Sequence, residues 1–234
     1  MSNQETEMAF GTRFITSGSL TKIVKDPYHI REFETRNGIP DLVIVSGAKL
    51  AKIKEFEKQH SSILSTTGAA RVLVILDKRS YRSVDALAHK SGLSNHYTVR
   101  ILKNLEKIGA VQFNESKGYR IAREFELPSP SIVSIEFKLD NWQKALTQAV
   151  RHTAFAARSY VIMPYAKHAL LEKNVETFMK FGISVGTFDS QTCSFRVIWK
   201  SPTNYRNSKP KSQVSYIDSL YRMLNSVDKL ETCK

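Results

Sequence analysis

Cysteine is almost missing from this chain: Cys193 and Cys233 are the only two in 234 residues. Two unpatterned thiols exclude a zinc-ribbon ligand set and a disulfide framework, and they fit a reducing cytoplasm. Long apolar runs are missing as well. No stretch reaches the roughly 20 residues that a membrane span needs, and the polar start Met1-Ser-Asn-Gln-Glu-Thr6 does not read as a signal peptide. There is no glycine-rich phosphate loop with its lysine, which removes nucleotide hydrolysis of that type. Acids are in short supply too. Only 22 Asp and Glu stand against 35 Lys and Arg, a formal net charge of +13. That excess favours a polyanionic partner. Without a basic amphipathic anchor, nucleic acid is expected ahead of a membrane.

Among the features that are present, the most telling stretch is Ser131-Ile-Val-Ser-Ile-Glu-Phe-Lys-Leu139 running into Asp140-Asn-Trp-Gln-Lys-Ala-Leu-Thr-Gln-Ala-Val-Arg-His152. Its first half predicts a strand, preceded by the breakers Pro128 and Pro130. Side chains two apart share a strand face, so Glu136 and Lys138 point one way and Ile135, Phe137 and Leu139 the other. Charges on an apolar strand are costly unless paired or used. For an isolated Glu-x-Lys, an ordinary ion pair is the plainer reading. A second apolar strand, Gly38-Ile-Pro-Asp-Leu-Val-Ile-Val45, carries Asp41 at its start, and the helix after Leu139 carries Gln148, Arg151 and His152. Two carboxylates on adjacent strands, Asp41 and Glu136, suit a hard divalent cation that keeps several waters, with the Phe137 carbonyl as a third oxygen. Lys138 then serves to orient a nucleophile or neutralise charge on a phosphate.

Pro40-Asp41, Glu136-Phe-Lys138 and Gln148 together resemble the PD-(D/E)XK nuclease superfamily, in its branch with a glutamine motif on the following helix. The resemblance covers about residues 29–47 and 131–199. Where that branch shows tyrosine four residues after the glutamine, this chain has His152. The resemblance implies a restriction-endonuclease-like α/β fold, a mixed sheet flanked by helices. It also implies a Mg²⁺ cofactor, replaceable by Mn²⁺, and catalytic roles for Asp41, Glu136, Lys138 and Gln148.

Upstream, residues 2–15 predict a short helix with Glu5, Glu7, Phe10 and Phe14 as its informative positions, and residues 16–28 a loop. Nucleases of the resembled type often carry an acid on a first helix, which makes Glu7 a candidate ligand. A solvated carboxylate at a helix start is its plainer reading. Residues 29–46 predict a hairpin turning at Asn37-Gly38. Facing residue numbers then sum to 75, which sets Glu34 across from Asp41 and makes it the preferred accessory metal ligand. Arg31 or Arg36 would otherwise balance that acidic pair.

Residues 47–64 are lysine-rich, with a short linking helix at 49–59. Three helices follow, over 67–78, 83–92 and 94–109, with Ser83 as an N-cap and Gly92 as a stop. A small hairpin runs from Val111 to Ala122 across Asn114-Glu-Ser-Lys117. The Ala86…Gly92…Val99…Leu102…Leu105 pattern, ending in Lys107-Ile-Gly-Ala-Val111, resembles MarR/ArsR-like winged helix-turn-helix domains over about residues 65–126. Residues 66–123 hold eleven Lys and Arg against four Asp and Glu, a net of +7. The resemblance makes Asn95, His96, Tyr97 and Arg100 the readers of double-stranded DNA, followed by Lys103 and Lys107, with Lys117 at the wing tip. Docking to protein is the alternative use of such a module.

The chain therefore reads as a nuclease-like domain in two parts, 1–64 and 127–200, around a winged-helix insertion at 65–126 that would bring DNA to the metal site. After the helix at 141–156 come a parallel strand at Ser159–Pro164, a helix at 166–181, a strand at Gly182–Phe188 and an edge strand at Ser194–Trp199. Trp142 and Phe155 read as packing. A basic linker, 200–211, leads to a closing helix at 213–231. That helix either covers the sheet or pairs with another subunit, so a homodimer would form through it or through the nuclease domain. The function expected is a cytoplasmic, metal-dependent DNA endonuclease serving restriction, defence, transposition or repair. A DNA-binding regulator with an inactive nuclease-like fold is the alternative. RNA is the less suitable substrate, because a winged helix fits the wide major groove of DNA.

Overall fold

In a computed structural model, residues 6–46, 66–126, 131–202, 210–224 and 231–232 are described. The chain divides into two compact units. One comprises Met1–Ala51, Pro130–Asn207 and Lys229–Lys234, and the other Lys52–Ser129 and Ser208–Asp228. The first unit is a mixed α/β layer structure. Its seven-stranded sheet has the order β8-β7-β6-β5-β2-β1-β9, built from β1 (Pro27–Arg31), β2 (Leu42–Ser46), β5 (Val133–Phe137), β6 (Arg158–Pro164), β7 (Ser184–Asp189), β8 (Ser194–Trp199) and β9 (Glu231–Thr232). Strands β5, β6 and β7 run parallel, while β1, β2, β8 and β9 pair antiparallel to their neighbours.

Both faces of the sheet are covered, which follows from strands that are apolar on both sides. On one face, helix α1 (Glu7–Thr16) inserts Phe10 and Phe14 among Leu42, Ile44, Ile135, Phe137 and Phe188. Aromatic edges meet ring faces there, with Phe14 and Phe188 centroids 5.2 Å apart at 83°. Gly11 permits the close approach, since a Cβ at that position would lie 2.9 Å from the Phe137 ring. On the other face, α5 (Trp142–His152) lays Ala145, Leu146 and Ala149 on Val161 and Met163, beside the later helices. Trp142 and Phe155 are packing residues as expected: Trp142 stacks near Phe178 at 5.7 Å, and Phe155 is buried.

The second unit contains α2 (Thr67–Ile75), α3 (Val84–Ser91), α4 (Asn95–Lys107) and the hairpin β3 (Val111–Asn114) with β4 (Gly118–Ile121). Ser83 caps α3 by accepting from the Ala86 amide at 3.2 Å, and Gly92 ends it with φ of +67°. Ser94 caps α4 by accepting from the Tyr97 amide at 3.3 Å.

Three expectations need correction. The closing helix, α8 (Pro210–Leu224), packs on α2 within the second unit. Ile217, Leu220 and Met223 are buried there, so this face of the helix belongs to the second unit's own core. The single helix expected at 166–181 is a 3₁₀ turn, Tyr165–Lys167, followed by α6 (His168–Lys173) and α7 (Val175–Phe181). Asn174 separates the last two, its side chain donating back to the Leu170 carbonyl at 2.8 Å. Residues 16–28 are also more ordered than a loop, with a 3₁₀ turn at Ser19–Lys22 and β1 starting at Pro27. The helix expected at 49–59 lies outside the described residues. No helix among the described residues is long and apolar enough to cross a membrane.

Candidate functional site

The site grows from the β2–β5 pairing. Leu42 faces Ile135 in antiparallel register, so the next pair outward is Asp41 and Glu136. Leu42 and Ile135 turn toward α1, and alternation sends Glu136 to the other side of β5, beside His152, while Asp41, just before β2, borders the α1-side cavity with Glu7 and Phe137. Asp41 Oδ2 accepts from the Phe137 amide at 2.7 Å. Lys138 follows at the end of β5, its own amide donating to the Ile162 carbonyl at 3.2 Å. Its ammonium reaches Glu7 Oε2 at 2.8 Å, across the first turn of α1. The expected grouping of Asp41, Glu136, Phe137 and Lys138 is therefore physically assembled, and Glu7 joins it.

Glu34 does not. The β1–β2 register pairs Arg31 with Leu42, and Thr35 bridges Gly38, so facing numbers sum to 73. The turn residues are Arg36 and Asn37, one position earlier than the expected Asn37-Gly38. Thr35 causes the shift: its hydroxyl donates to the Gly38 carbonyl at 2.6 Å and accepts from the Asn37 amide at 3.1 Å. Glu32 then lies opposite Asp41, its amide donating to the Asp41 carbonyl at 3.1 Å, while Glu34 points to solvent. Glu32 holds φ of +46°, a left-handed conformation costly for a residue with a side chain. Glu7, Gly11, Thr12, Arg31, Glu32 and Asp41 line a cavity of about 410 Å³. Counting back from a turn one residue earlier would have found Glu32 in the sequence.

Electrostatics follow from this crowding. Burial is the main cause that lifts the Glu136 carboxyl to about 8; Asp41 and Glu7 add to the rise, and Lys138 opposes it. Asp41 is also raised, by burial first, with the Phe137 amide and Lys138 holding it down and Glu7 and Glu32 pushing it up. Burial alone would lower Lys138, but the Glu7 hydrogen bond and the surrounding carboxylates outweigh it and leave its pKa raised.

On the other side of Glu136 lies α5. Gln148 and His152 are four residues apart and share a helix face. His152 is buried, and its Nδ1 lies 3.3 Å from Glu136 Oε1 without hydrogen-bond alignment. Burial first, then Arg151, lowers its imidazole to about 4. Both Glu136 oxygens, Gln148 Oε1, His152 Nδ1 and Asn37 Oδ1 are buried without a hydrogen-bond partner. Orphaned buried polar atoms are uncommon in a finished interior. His152 carried a signal in the sequence, namely its i+4 spacing from Gln148.

No three His, Cys, Asp or Glu side chains among the described residues converge as a metal cage. Mg²⁺ does not need one, because it binds through one or two carboxylates and keeps its waters. The facing Asp41 and Glu136, with two partnerless oxygens on the fully buried Glu136, fit such an ion.

In the second unit, His96, Arg100, Lys103, Lys107 and Lys117 are exposed. Asn95 is exposed but engaged, donating to Asp85 at 2.6 Å. Tyr97 is half-buried against Gly68, where a Cβ would come within 2.9 Å of its ring, and Arg100 lies 6.0 Å over its face. Asn95 and Tyr97 thus also make local contacts within this unit. No protein-family model, curated protein or solved structure matches the chain.

Proposed function

We propose that the chain is a metal-dependent DNA endonuclease of the PD-(D/E)XK type, with a restriction-endonuclease-like sheet and an inserted winged-helix unit that binds double-stranded DNA. The observation that carries this reading is the facing pair Asp41 and Glu136, with Lys138 two residues beyond Glu136. Asp41, Glu136 and the Phe137 carbonyl would hold Mg²⁺ or Mn²⁺. When bound, the ion supplies Lewis acidity toward a phosphate oxygen and a more acidic water. Lys138 brings an ammonium to the same edge, where charge accumulates on the scissile phosphate. Glu7 holds that ammonium in place, and being half-exposed it can release the lysine to a substrate. Gln148 presents its orphaned amide oxygen from α5 and positions the water or the ion's shell.

His96, Arg100, Lys103 and Lys107 on α4 would follow a DNA groove, with Lys117 of the β3–β4 turn on the backbone. This surface suits DNA by its charge: the segment 66–123 carries a net +7.

A second reading has its own support. With Lys138 already paired to Glu7, the site resembles a closed ion pair, as a non-enzymatic DNA-binding regulator would have. Supercoiled, linear and branched DNA incubated with Mg²⁺, Mn²⁺ or EDTA separate the two. The endonuclease reading predicts metal-dependent nicking or cutting that EDTA abolishes. Intact DNA in every form with either metal leaves the regulator reading standing.

A further inference from the structure

We infer that His152 is a positioning residue for the metal site, orienting Glu136 through Nδ1. This rests on the proposed metal-site reading and adds to it a residue that the Glu-x-Lys and Asp motifs do not contain. Three observations carry it. The first is separation: Nδ1 and Glu136 Oε1 are 3.3 Å apart, both are buried, and neither makes an aligned hydrogen bond. A small rotation of either group makes an N–H···O bond of ordinary length. The second is that the ring is fixed on its other sides. Phe155 lies 5.8 Å away between ring centroids, and the β1–β2 turn closes over the opposite edge. At Gly38, whose φ is +116°, a Cβ would come within 3.3 Å of His152 Nε2. The backbone of that turn therefore lies close to the Nε2 edge of the ring. The third is the arrangement along Glu136. Asp41 crowds the carboxylate from β2, and His152 approaches Oε1 from α5.

A carboxylate that ligates a metal needs its second oxygen held, or its orientation is lost to rotation. Partners that do this are typically worth about 10–100-fold in metal affinity. His152 Nδ1–H, donating to Oε1, would leave Oε2 to serve with Asp41 in holding the ion. The opposing account makes His152 an ordinary buried polar side chain that only fills space beside α5.

The two accounts part on which property moves. Mn²⁺ binding to the full chain is measured by calorimetry for wild type, His152→Leu and His152→Asn, with thermal melting in EDTA alongside. We expect His152→Leu to melt in EDTA at or above the wild-type temperature, because a partnerless buried polar group is replaced by an apolar one. Its Mn²⁺ affinity should fall about 10–100-fold. His152→Asn, whose amide Nδ2 can take the place of Nδ1, should recover most of that loss. Wild-type binding with equal Mn²⁺ affinity in all three proteins overturns the positioning role while leaving the metal site in place. An affinity loss that Asn does not recover overturns it too. Should wild type bind no Mn²⁺, the metal-site reading and this inference fall together.

Discussion

At the scale of single residues, Glu136 dominates because its burial sets its chemistry. Its carboxyl sits at about 8 in the folded chain, against an ordinary value near 4.5. The folded state therefore holds a proton that the unfolded chain releases. The resulting stabilisation is fully present below about pH 4.5 and is lost as pH rises through about 8. His152, lowered to about 4, works in the opposite direction: its contribution is present above its ordinary value near 6.5 and fades as pH falls through 4. In EDTA, wild type should lose on the order of a few kcal/mol between pH 5 and pH 8 relative to Glu136→Gln, which has no proton to release. Urea denaturation across that range checks it, and parallel curves for the two proteins would contradict the burial argument. Glu7 and Glu34 give a second contrast. Glu7→Gln removes the charged partner of Lys138 and should slow cleavage, whereas Glu34→Gln, out in solvent, should leave the rate unchanged. Single-turnover rates at saturating metal make that comparison, and the opposite ranking would restore the register with Glu34 facing Asp41.

At the scale of elements, the decisive piece is the β1–β2 hairpin. Gly38 is held at φ of +116° beside His152, so Gly38→Ala adds both backbone strain and a methyl 3.3 Å from the ring. It should cost about 1–3 kcal/mol, read by chemical denaturation. An unchanged midpoint would mean that the turn tolerates a side chain and does not confine His152. The hairpin also marks where sequence reasoning stopped. Alternation and composition made β5, β6 and β7 legible, because each follows from local apolar periodicity, whereas Asp41, Glu136 and Lys138 stood out as charges on apolar segments and through the resemblance they carry. The register did not follow, because the Thr35 hydroxyl moves the turn by one residue and exchanges Glu32 for Glu34 beside Asp41. The contact between Lys138 and Glu7 was equally hidden, since it depends on α1 docking against Phe137 through Gly11. The break at Asn174 lacked a glycine or proline to announce it.

At the scale of the whole molecule, the two units should fail separately. Leu220 of α8 is buried against the helices of the second unit, so Leu220→Ala should destabilise that unit by about 2–5 kcal/mol. DNA affinity should drop while Mn²⁺ affinity of the sheet unit stays as in wild type, measured by titration of each ligand. Loss of both would mean that the metal site depends on the second unit's fold. Arg100→Ala with Lys103→Ala should weaken DNA binding and flatten its salt dependence without altering metal affinity. The central claim, that Asp41 and Glu136 serve as metal ligands, is tested most directly by Asp41→Asn. Asparagine keeps an oxygen for the Phe137 amide and removes only the charge, so the fold should survive. Plasmid nicking at matched protein concentration, with DNA affinity measured in parallel, should show about a hundredfold or greater loss of cutting and DNA binding as tight as wild type or tighter. Nicking by Asp41→Asn at the wild-type rate would contradict the account.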